Sequence, residues 1–146
     1  MEEVTNQAKT HLFQWLAKER TLISVSGLRP YSDEDWNDYI GAINQIVDKQ
    51  IRVLVHSQGA IPNRHQQRQL SALPNQTLRR IAVISPSPAI RFIVSMFLFV
   101  APHIRLFAPD KLDDAFVFLG FSPAEIATVR DVLTRLRREL ADEHAA

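Results

Sequence analysis

The stretch IRVLVHSQGAIPNRHQQRQL, residues 51–70, begins as an apolar run and ends as a polar, basic segment. Residues Ile51 to Val55 are suited to a buried central strand, and Pro62-Asn63 can start a helix that runs to about Ala72. The two are joined at Ser57-Gln58-Gly59. Ligands of α/β proteins often bind where a strand turns into a helix. The stretch therefore predicts a βα unit, and its turn is the first place to look for a site.

The alternation of strand and helix continues on both sides of this unit. Upstream, residues 10–16 and 21–25 are typical of a β-hairpin, and Ser32 caps an amphipathic helix that runs to about Lys49. Downstream, the pattern predicts a strand, a proline-started helix, a strand and two more helices, at Arg80–Ile84, 88–100, His103–Phe107, Asp110–Phe118 and from the capping box Ser122-Pro123-Ala124-Glu125 onward.

This order predicts the α/β fold class, with a mixed sheet, an N-terminal β-hairpin, αβ crossovers and C-terminal helices. Single strands that alternate with helices pair in parallel, and the hairpin adds an antiparallel strand at one edge of the sheet. A chain of 146 residues is long enough to bury a core. We expect one domain over residues 1–146, with residues 1–9 and 142–146 frayed.

Charge is distributed unevenly along the chain. Residues 51–109 hold seven arginines and no Asp or Glu, whereas residues 1–50 and 110–146 each hold five Lys or Arg against eight Asp or Glu. A segment without carboxylates cannot itself supply acid–base or metal chemistry that needs them. Its positive charge either favours an anionic partner or is neutralised by the flanking acidic segments, and we favour neutralisation.

Several short segments carry a family resemblance: Arg52–His56, Pro62-Asn63 with Gln67-Arg68, Arg80–Ile84, Ser87 with Arg91, His103–Pro109 and Asp114–Gly120. In these segments and in its element order, the chain resembles the STAS fold of anti-sigma-factor antagonists and sulfate-transporter tails, and its SEC14-like relatives. The closer resemblance is to small stand-alone STAS/SEC14-like proteins of myxobacteria and similar bacteria. The resemblance covers roughly residues 10–120 and implies a binding or regulatory module, as in signalling, without catalysis.

Ser57 does not take the place of the regulatory serine of that family. Antagonist-type STAS domains carry an Asp-Ser-Ser-Gly-like turn with a phosphorylatable serine at a helix start, whereas this chain has HSQGAIPN there. Ser57 and His56 also cannot act as nucleophile and base, because adjacent strand residues point to opposite faces. We expect Ser57 and Gly59 to turn the chain, and we predict no catalytic residue.

Metal, cofactor and nucleic-acid sites have no support in the sequence. The chain has no cysteine, and its five histidines show no paired metal-ligand spacing. Its four glycines cannot form a glycine-rich phosphate loop at their spacings. Nucleic-acid binding would require more than a net charge of +1, or aromatic residues between the cations. We therefore expect no metal, no cofactor and no nucleic-acid partner.

The helix after the turn is the first candidate binding surface. Free N–H groups at a helix start bind anions, and Arg64 and Arg68 share one face near Asn63. An anionic ligand is therefore one hypothesis for this helix. An ordinary solvated face is the alternative that we favour.

The helix 88–100 is the second candidate. From Ala89 to Val100 only Arg91 and Ser95 are polar, and a helix that is apolar all round needs cover on both faces. Three alternatives remain for this helix. Other parts of the chain cover it, or it lines a lipid pocket, or it presents an exposed patch used in self-association, which includes some of Ile90, Met96, Phe97 and Phe99. Its 12 apolar-rich residues are too few to span a bilayer.

We therefore predict a non-enzymatic protein-interaction or regulatory module that binds a protein partner and forms homodimers. The alternative is a protein that binds a lipid or a small apolar ligand. The N-terminal segment MEEVTNQAKT has no apolar run, so we expect a cytoplasmic protein without stable membrane insertion. The predicted binding residues are Ser57, Asn63, Arg64, Arg68, Arg91, Met96, Phe97 and Phe99.

Overall fold

The structure is a computed structural model that describes residues 9–46, 50–73, 78–97 and 103–145, with the backbone alone for residues 78–79, 93–97 and 143–145. Within these ranges the strands are β1 (His11–Leu16), β2 (Thr21–Ser26), β3 (Ile51–Ser57), β4 (Leu78–Ile84) and β5 (Ile104–Phe107). The α-helices of the same ranges are α1 (Asp33–Gln45), α2 (Arg64–Ser71), α3 (Pro88–Phe97), α4 (Leu112–Leu119) and α5 (Pro123–Ala145). The predicted order of elements is confirmed.

The strands form one sheet in chain order, β1-β2-β3-β4-β5. β1 pairs antiparallel with β2, and the pairs β2–β3, β3–β4 and β4–β5 are parallel. This arrangement confirms the predicted α/β class and the hairpin at one edge. When each parallel strand is added on the same side with the same crossover hand, the crossover helices all lie on one face of the sheet.

The register of the parallel strands separates two faces. Leu22, Val53, Ile81 and Ile104 are aligned across β2 to β5 and point toward α1, and we name this side the α1 face. The neighbouring residues Ile23, Leu54 and Ala82 point to the other side, which α4 and α5 cover, and we name it the α5 face. Each face therefore has a hydrophobic core of its own.

The two cores are built from different helices. On the α1 face, α1 contributes Trp36, Tyr39, Ile40 and Ile43 to the hydrophobic core. On the α5 face, α4 contributes Ala115, Phe116 and Leu119, and α5 contributes Val129, Leu133, Leu136 and Leu140. These four residues of α5 recur at spacings of three and four, so they form one apolar stripe that packs on the sheet. Leu12 and Leu16 of the hairpin are partly buried against the same core.

The helix caps predicted at Ser32 and at Ser122 are present, whereas Asp110 does not cap α4. The Asp35 N–H donates to Ser32 Oγ over 3.1 Å at the start of α1. At the start of α5, the Glu125 N–H donates to Ser122 Oγ and the Ser122 N–H donates to Glu125 Oε1. Gly120 ends α4 with φ of 75°, a left-handed conformation that favours glycine.

Three helix boundaries differ from the sequence prediction. α4 begins at Leu112 and follows a short 3₁₀ helix, Pro109–Lys111, where the sequence predicts a helix from Asp110. α1 ends at Gln45, where the sequence predicts a helix to about Lys49, and Lys49 lies outside the described residues. α5 is helical as far as Ala145, so it reaches into the stretch 142–146 that the sequence predicts to fray.

Candidate functional site

An apolar cavity lies on the α1 face, between the sheet and the helices that cross it. Its volume is about 120 Å³. The strands form the floor of the cavity, and α1 forms one wall together with Tyr31. The remaining sides are formed by α2, by the segment before α2 and by α3. The lining residues among those described are Ser24, Tyr31, Trp36, Tyr39, Ile43, Val53, Val55, Ser57, Ala60, Ile61, Pro62, Leu70, Ile81, Val83, Ile90 and Ile104.

The helices cover the floor of the cavity incompletely. Val55 and Val83 belong to the central strands β3 and β4 but are only half-buried on the α1 face. Their neighbours on the α5 face, Leu54, Ala82 and Ile84, are at most 1% exposed. In a parallel sheet, helices normally cover both faces of the central strands. The difference indicates that the layer formed by α2 and α3 leaves part of the sheet accessible to an apolar group.

Ser57 lies at this cavity and holds the turn that the sequence singles out. Its hydroxyl donates to the Ala60 carbonyl over 3.1 Å and accepts the Gly59 N–H over 3.2 Å. These bonds fold residues 57–60 so that Ala60 lines the cavity. His56 lies on the α5 face, so the two side chains point away from each other, as strand geometry requires.

The start of α2 is closed by a capping box that the sequence did not predict. Asn63 Oδ1 accepts the Gln66 N–H, and Gln66 Oε1 accepts the Asn63 N–H. The buried Gln66 amide also donates to the Tyr31 carbonyl and to Asp33 Oδ1. The side chain of Asn63 is therefore occupied with the helix end, and Gln66 fastens α2 to the start of α1.

The arginines of α2 lie on its outer surface. Arg64 and Arg68 are exposed and border a shallow groove with Gln67, Ser71 and Ala72. Neither guanidinium forms an ion pair or a hydrogen bond with any described residue. The positive charge predicted for this helix is thus presented to solvent beside the cavity wall formed by Leu70.

α3 divides its apolar residues between the cavity and the surface. Ile90 lines the cavity and is 6% exposed, so it does not belong to an exposed patch. Phe92 is 66% exposed and Arg91 is also exposed. Phe92 is not among the predicted binding residues, although two helical positions turn it about 200° away from Ile90. The side chains of Met96 and Phe97, and Phe99 as a whole, lie outside the described part of the chain.

An aromatic cluster forms the wall of the cavity nearest to β1. The His11 ring centre is 4.5 Å from that of Tyr39 and 5.2 Å from that of Tyr31. Burial lowers the pKa of His11 to about 4, against the opposing effect of the Asp35 charge, and burial also raises the pKa of Tyr31 and of Tyr39. Near neutral pH these three rings are therefore uncharged.

The central arginines are only partly neutralised by acidic residues. Arg52 pairs with Glu125 over 2.8 Å and lies over the Phe121 ring. Arg80 and Arg105 instead lie over the Phe118 ring, at 5.2 Å and 4.7 Å from its centre. Within the positive segment, Arg52 is therefore paired with a carboxylate, as predicted. Arg80 and Arg105 contact an aromatic ring instead.

The residues that the structure describes contain no group of three or more His, Asp or Glu side chains placed to hold a metal ion. No helix within the same ranges is both long enough and apolar enough to cross a membrane. Comparison with protein-family models, curated proteins and solved structures finds no match for this chain.

Proposed function

We propose that the chain is a non-enzymatic protein-interaction module of STAS-like architecture that acts in the cytoplasm and binds an apolar side chain of an acidic partner segment. The observation that carries this proposal is the partly open apolar cavity on the α1 face. The consecutive strand order and the N-terminal hairpin support the STAS-like part of the proposal.

The size of the cavity suits a single apolar side chain of a partner protein. A dry apolar cavity of about 150 Å³ is large enough to bind benzene, and sites for whole drug-sized ligands measure roughly 300–1,000 Å³. A cavity of about 120 Å³ matches one leucine or phenylalanine side chain. Buried apolar anchors of this kind supply much of the binding energy of protein interfaces.

The charge on the α2 side of the cavity supports an acidic partner. Arg64 and Arg68 lie on α2 without a carboxylate partner among the described residues, and residues 51–109 contain no Asp or Glu. Acidic residues on either side of an apolar anchor would therefore meet only positive charge from this segment. Charge complementarity of this kind favours the correct partner and speeds association.

The arrangement at the turn supports binding without catalysis. The Ser57 hydroxyl is held by the Ala60 carbonyl, and the imidazole of His56 lies on the opposite face of the sheet. A serine nucleophile needs a base within hydrogen-bond distance. In this proposal the role of Ser57 is to shape the cavity rim.

The direct test uses labelled acidic peptides that differ at one position. We expect saturable binding, measured by fluorescence polarisation, of a peptide with a single Leu or Phe between glutamates. Replacement of that residue by Ala, or of the glutamates by Lys, should weaken binding at least tenfold. Val83→Phe fills the cavity and should have the same effect. Val117→Phe, at an exposed site on α4, is its matched control.

A second pair of variants tests the charge. Arg68→Gln should weaken binding of the acidic peptide and reduce its salt dependence, whereas Arg130→Gln, which alters an arginine paired with Asp113, should not. Binding that is unaffected by both Val83→Phe and Arg68→Gln would refute the interaction site.

Binding of a small apolar ligand is a second candidate function, because the same cavity can hold one. It predicts that native mass spectrometry of the purified protein finds a co-purified small molecule, and that Val83→Phe removes it. A co-purified ligand together with no peptide binding would favour this function over the first.

Self-association is the form of protein interaction proposed for α3, and its motivation is Phe92, a large apolar side chain that is 66% exposed. Light scattering of the wild-type protein should then show a dimer that Phe92→Asp converts to a monomer. A wild-type monomer at high concentration would exclude the second copy as the partner.

A further inference from the structure

A second concave site lies on the opposite face of the sheet, at the carboxyl ends of β2 and β3. We name it the α5 groove, and its volume is about 580 Å³. Its floor is formed by the ends of the two strands and its wall by the last turns of α5. The lining residues are Val25, Ser26, Gly27, His56, Gln58, Thr134, Arg137, Arg138, Leu140 and Ala141. Carboxyl ends of parallel strands are the usual place for ligands in α/β sheets.

The charge of the α5 groove is entirely positive among the described residues. Arg137 and Arg138 are the charged side chains that line it, and none of its lining residues is Asp or Glu. Both arginines are exposed, and within the described chain neither forms an ion pair, so both guanidinium groups are available to an anion.

Other arginines of α5 show that the helix can pair its cations. Arg130 pairs with Asp113 and Arg135 pairs with Glu139, each over 2.8 Å. Arg137 and Arg138 form no ion pair with a described residue, although Asp142 stands four positions after Arg138 on the same helix. The two arginines without a carboxylate partner are the two that line the groove.

His56 places a neutral polar ring in the floor of this groove. It is 7% exposed, and burial, together with the positive charge of Arg137, lowers its pKa to about 4. A neutral imidazole offers one hydrogen-bond donor and one acceptor. The Gln58 amide, at the same rim, offers two further donors.

We propose that the α5 groove binds a small phosphomonoester, with its phosphate held by Arg137 and Arg138 and its organic part against Val25, Leu140 and Ala141. The charge of the two guanidinium groups matches a phosphate that carries about two negative charges at neutral pH. Guanidinium groups bind phosphate through paired N–H donors, and the groove is within the usual size range of small-molecule sites.

This site is separate from the apolar cavity, because the sheet lies between them. Absence of peptide binding would therefore not affect the phosphomonoester proposal. Absence of phosphomonoester binding would likewise not affect the protein-interaction proposal.

The test is a titration of the wild-type chain with phenyl phosphate at low ionic strength, by calorimetry and by NMR of the histidine side chains. We expect saturable binding, a selective change in the His56 resonances, and a rise in the His56 pKa, because the bound anion offsets the charge of Arg137. Arg137→Gln and Arg138→Gln should each weaken binding at least tenfold. Arg135→Gln, which changes the same helix outside the groove, should leave it within twofold of wild type.

Three results would overturn the proposal. They are the absence of saturable phenyl phosphate binding to the wild-type chain, equal weakening by Arg135→Gln and Arg137→Gln, and binding that leaves the His56 resonances unchanged. All three variants change exposed residues, so their folding can be checked by circular dichroism before the titration. The wild-type His56 signal gives an answer that depends on no variant.

Discussion

His11 contributes to the pH dependence of the chain's stability, and one substitution should remove that contribution. Its ring is 3% exposed, lies among Phe13, Tyr31, Trp36 and Tyr39, and its Nε2 is 2.5 Å from Ser24 Oγ. Burial lowers its pKa from 6.5 to about 4. The unfolded chain therefore takes up a proton at a higher pH than the folded chain does.

The sign and size of the effect follow from linkage. Above pH 6.5 both states leave His11 neutral and its full contribution to stability is present. As the pH falls below 6.5 toward 4, the unfolded state binds more protons and stability is lost. Each pKa unit corresponds to about 1.4 kcal/mol. Lowering the pH from 7 to 4.5 should therefore remove about 2 kcal/mol of folding free energy through His11 alone.

His11→Phe keeps a ring in the aromatic cluster but cannot be protonated. It also removes the Nδ1 atom, which is buried without a hydrogen-bond partner among the described residues, and it leaves Ser24 the Tyr39 hydroxyl as a partner. We expect the variant to lie within about 1 kcal/mol of wild type at pH 7. At pH 4.5 it should have lost about 2 kcal/mol less than wild type has.

Urea denaturation at pH 7 and pH 4.5, followed by tryptophan fluorescence, measures this difference. His65→Gln, at an exposed position on α2, is the control that should keep the wild-type dependence. The dependence that remains in His11→Phe is assigned to the other groups whose pKa the fold lowers, which are His56, His103, Asp35 and Glu125. Equal losses of stability in wild type and His11→Phe would refute the reasoning.

Three further predictions concern stability at neutral pH, each measured by urea denaturation. Asn63→Ala removes the capping bond at the start of α2 and should cost about 1 kcal/mol, whereas Asn63→Ser should cost much less. Glu125→Gln keeps the capping box of α5 but removes the charge that pairs with the largely buried Arg52, and should cost about 1–2 kcal/mol; no cost would mean that the pair is solvated. Gly120→Ala forces a side chain into a left-handed conformation and should cost about 1 kcal/mol, while Gly41→Ala, in the middle of α1 with open space around it, should stabilise the chain.

Local patterns in the sequence were enough to predict the fold class. The apolar run Ile51–Val55 is the central strand β3, and the alternation of strands and helices gives the parallel pairs on either side of it. Ser32 and the Ser122–Glu125 box cap helices as predicted because capping depends on residues three positions apart. Such features are local, so a single sequence contains them in full.

The sites depend on residues that are distant in the sequence. The apolar cavity joins Tyr31 to Ile104, and the α5 groove joins His56 to Arg137. No spacing rule connects such pairs, because their proximity follows from the order of the strands and the helices that cover them. Composition also does not predict that Arg80 and Arg105 lie over the Phe118 ring instead of beside a carboxylate.

The packing of α5 over β1 and β2 has a consequence for how the chain matures on the ribosome. Because the strands lie in chain order, each of β3, β4 and β5 can dock beside its predecessor soon after it emerges. The hairpin side chains Leu12, Leu16, Ile23 and Val25 have no such early cover, because they share a core with Leu133, Leu136 and Leu140 of α5, which is synthesised after β5. We expect nascent chains that stop before α5 to expose this hydrophobic surface and to bind chaperones.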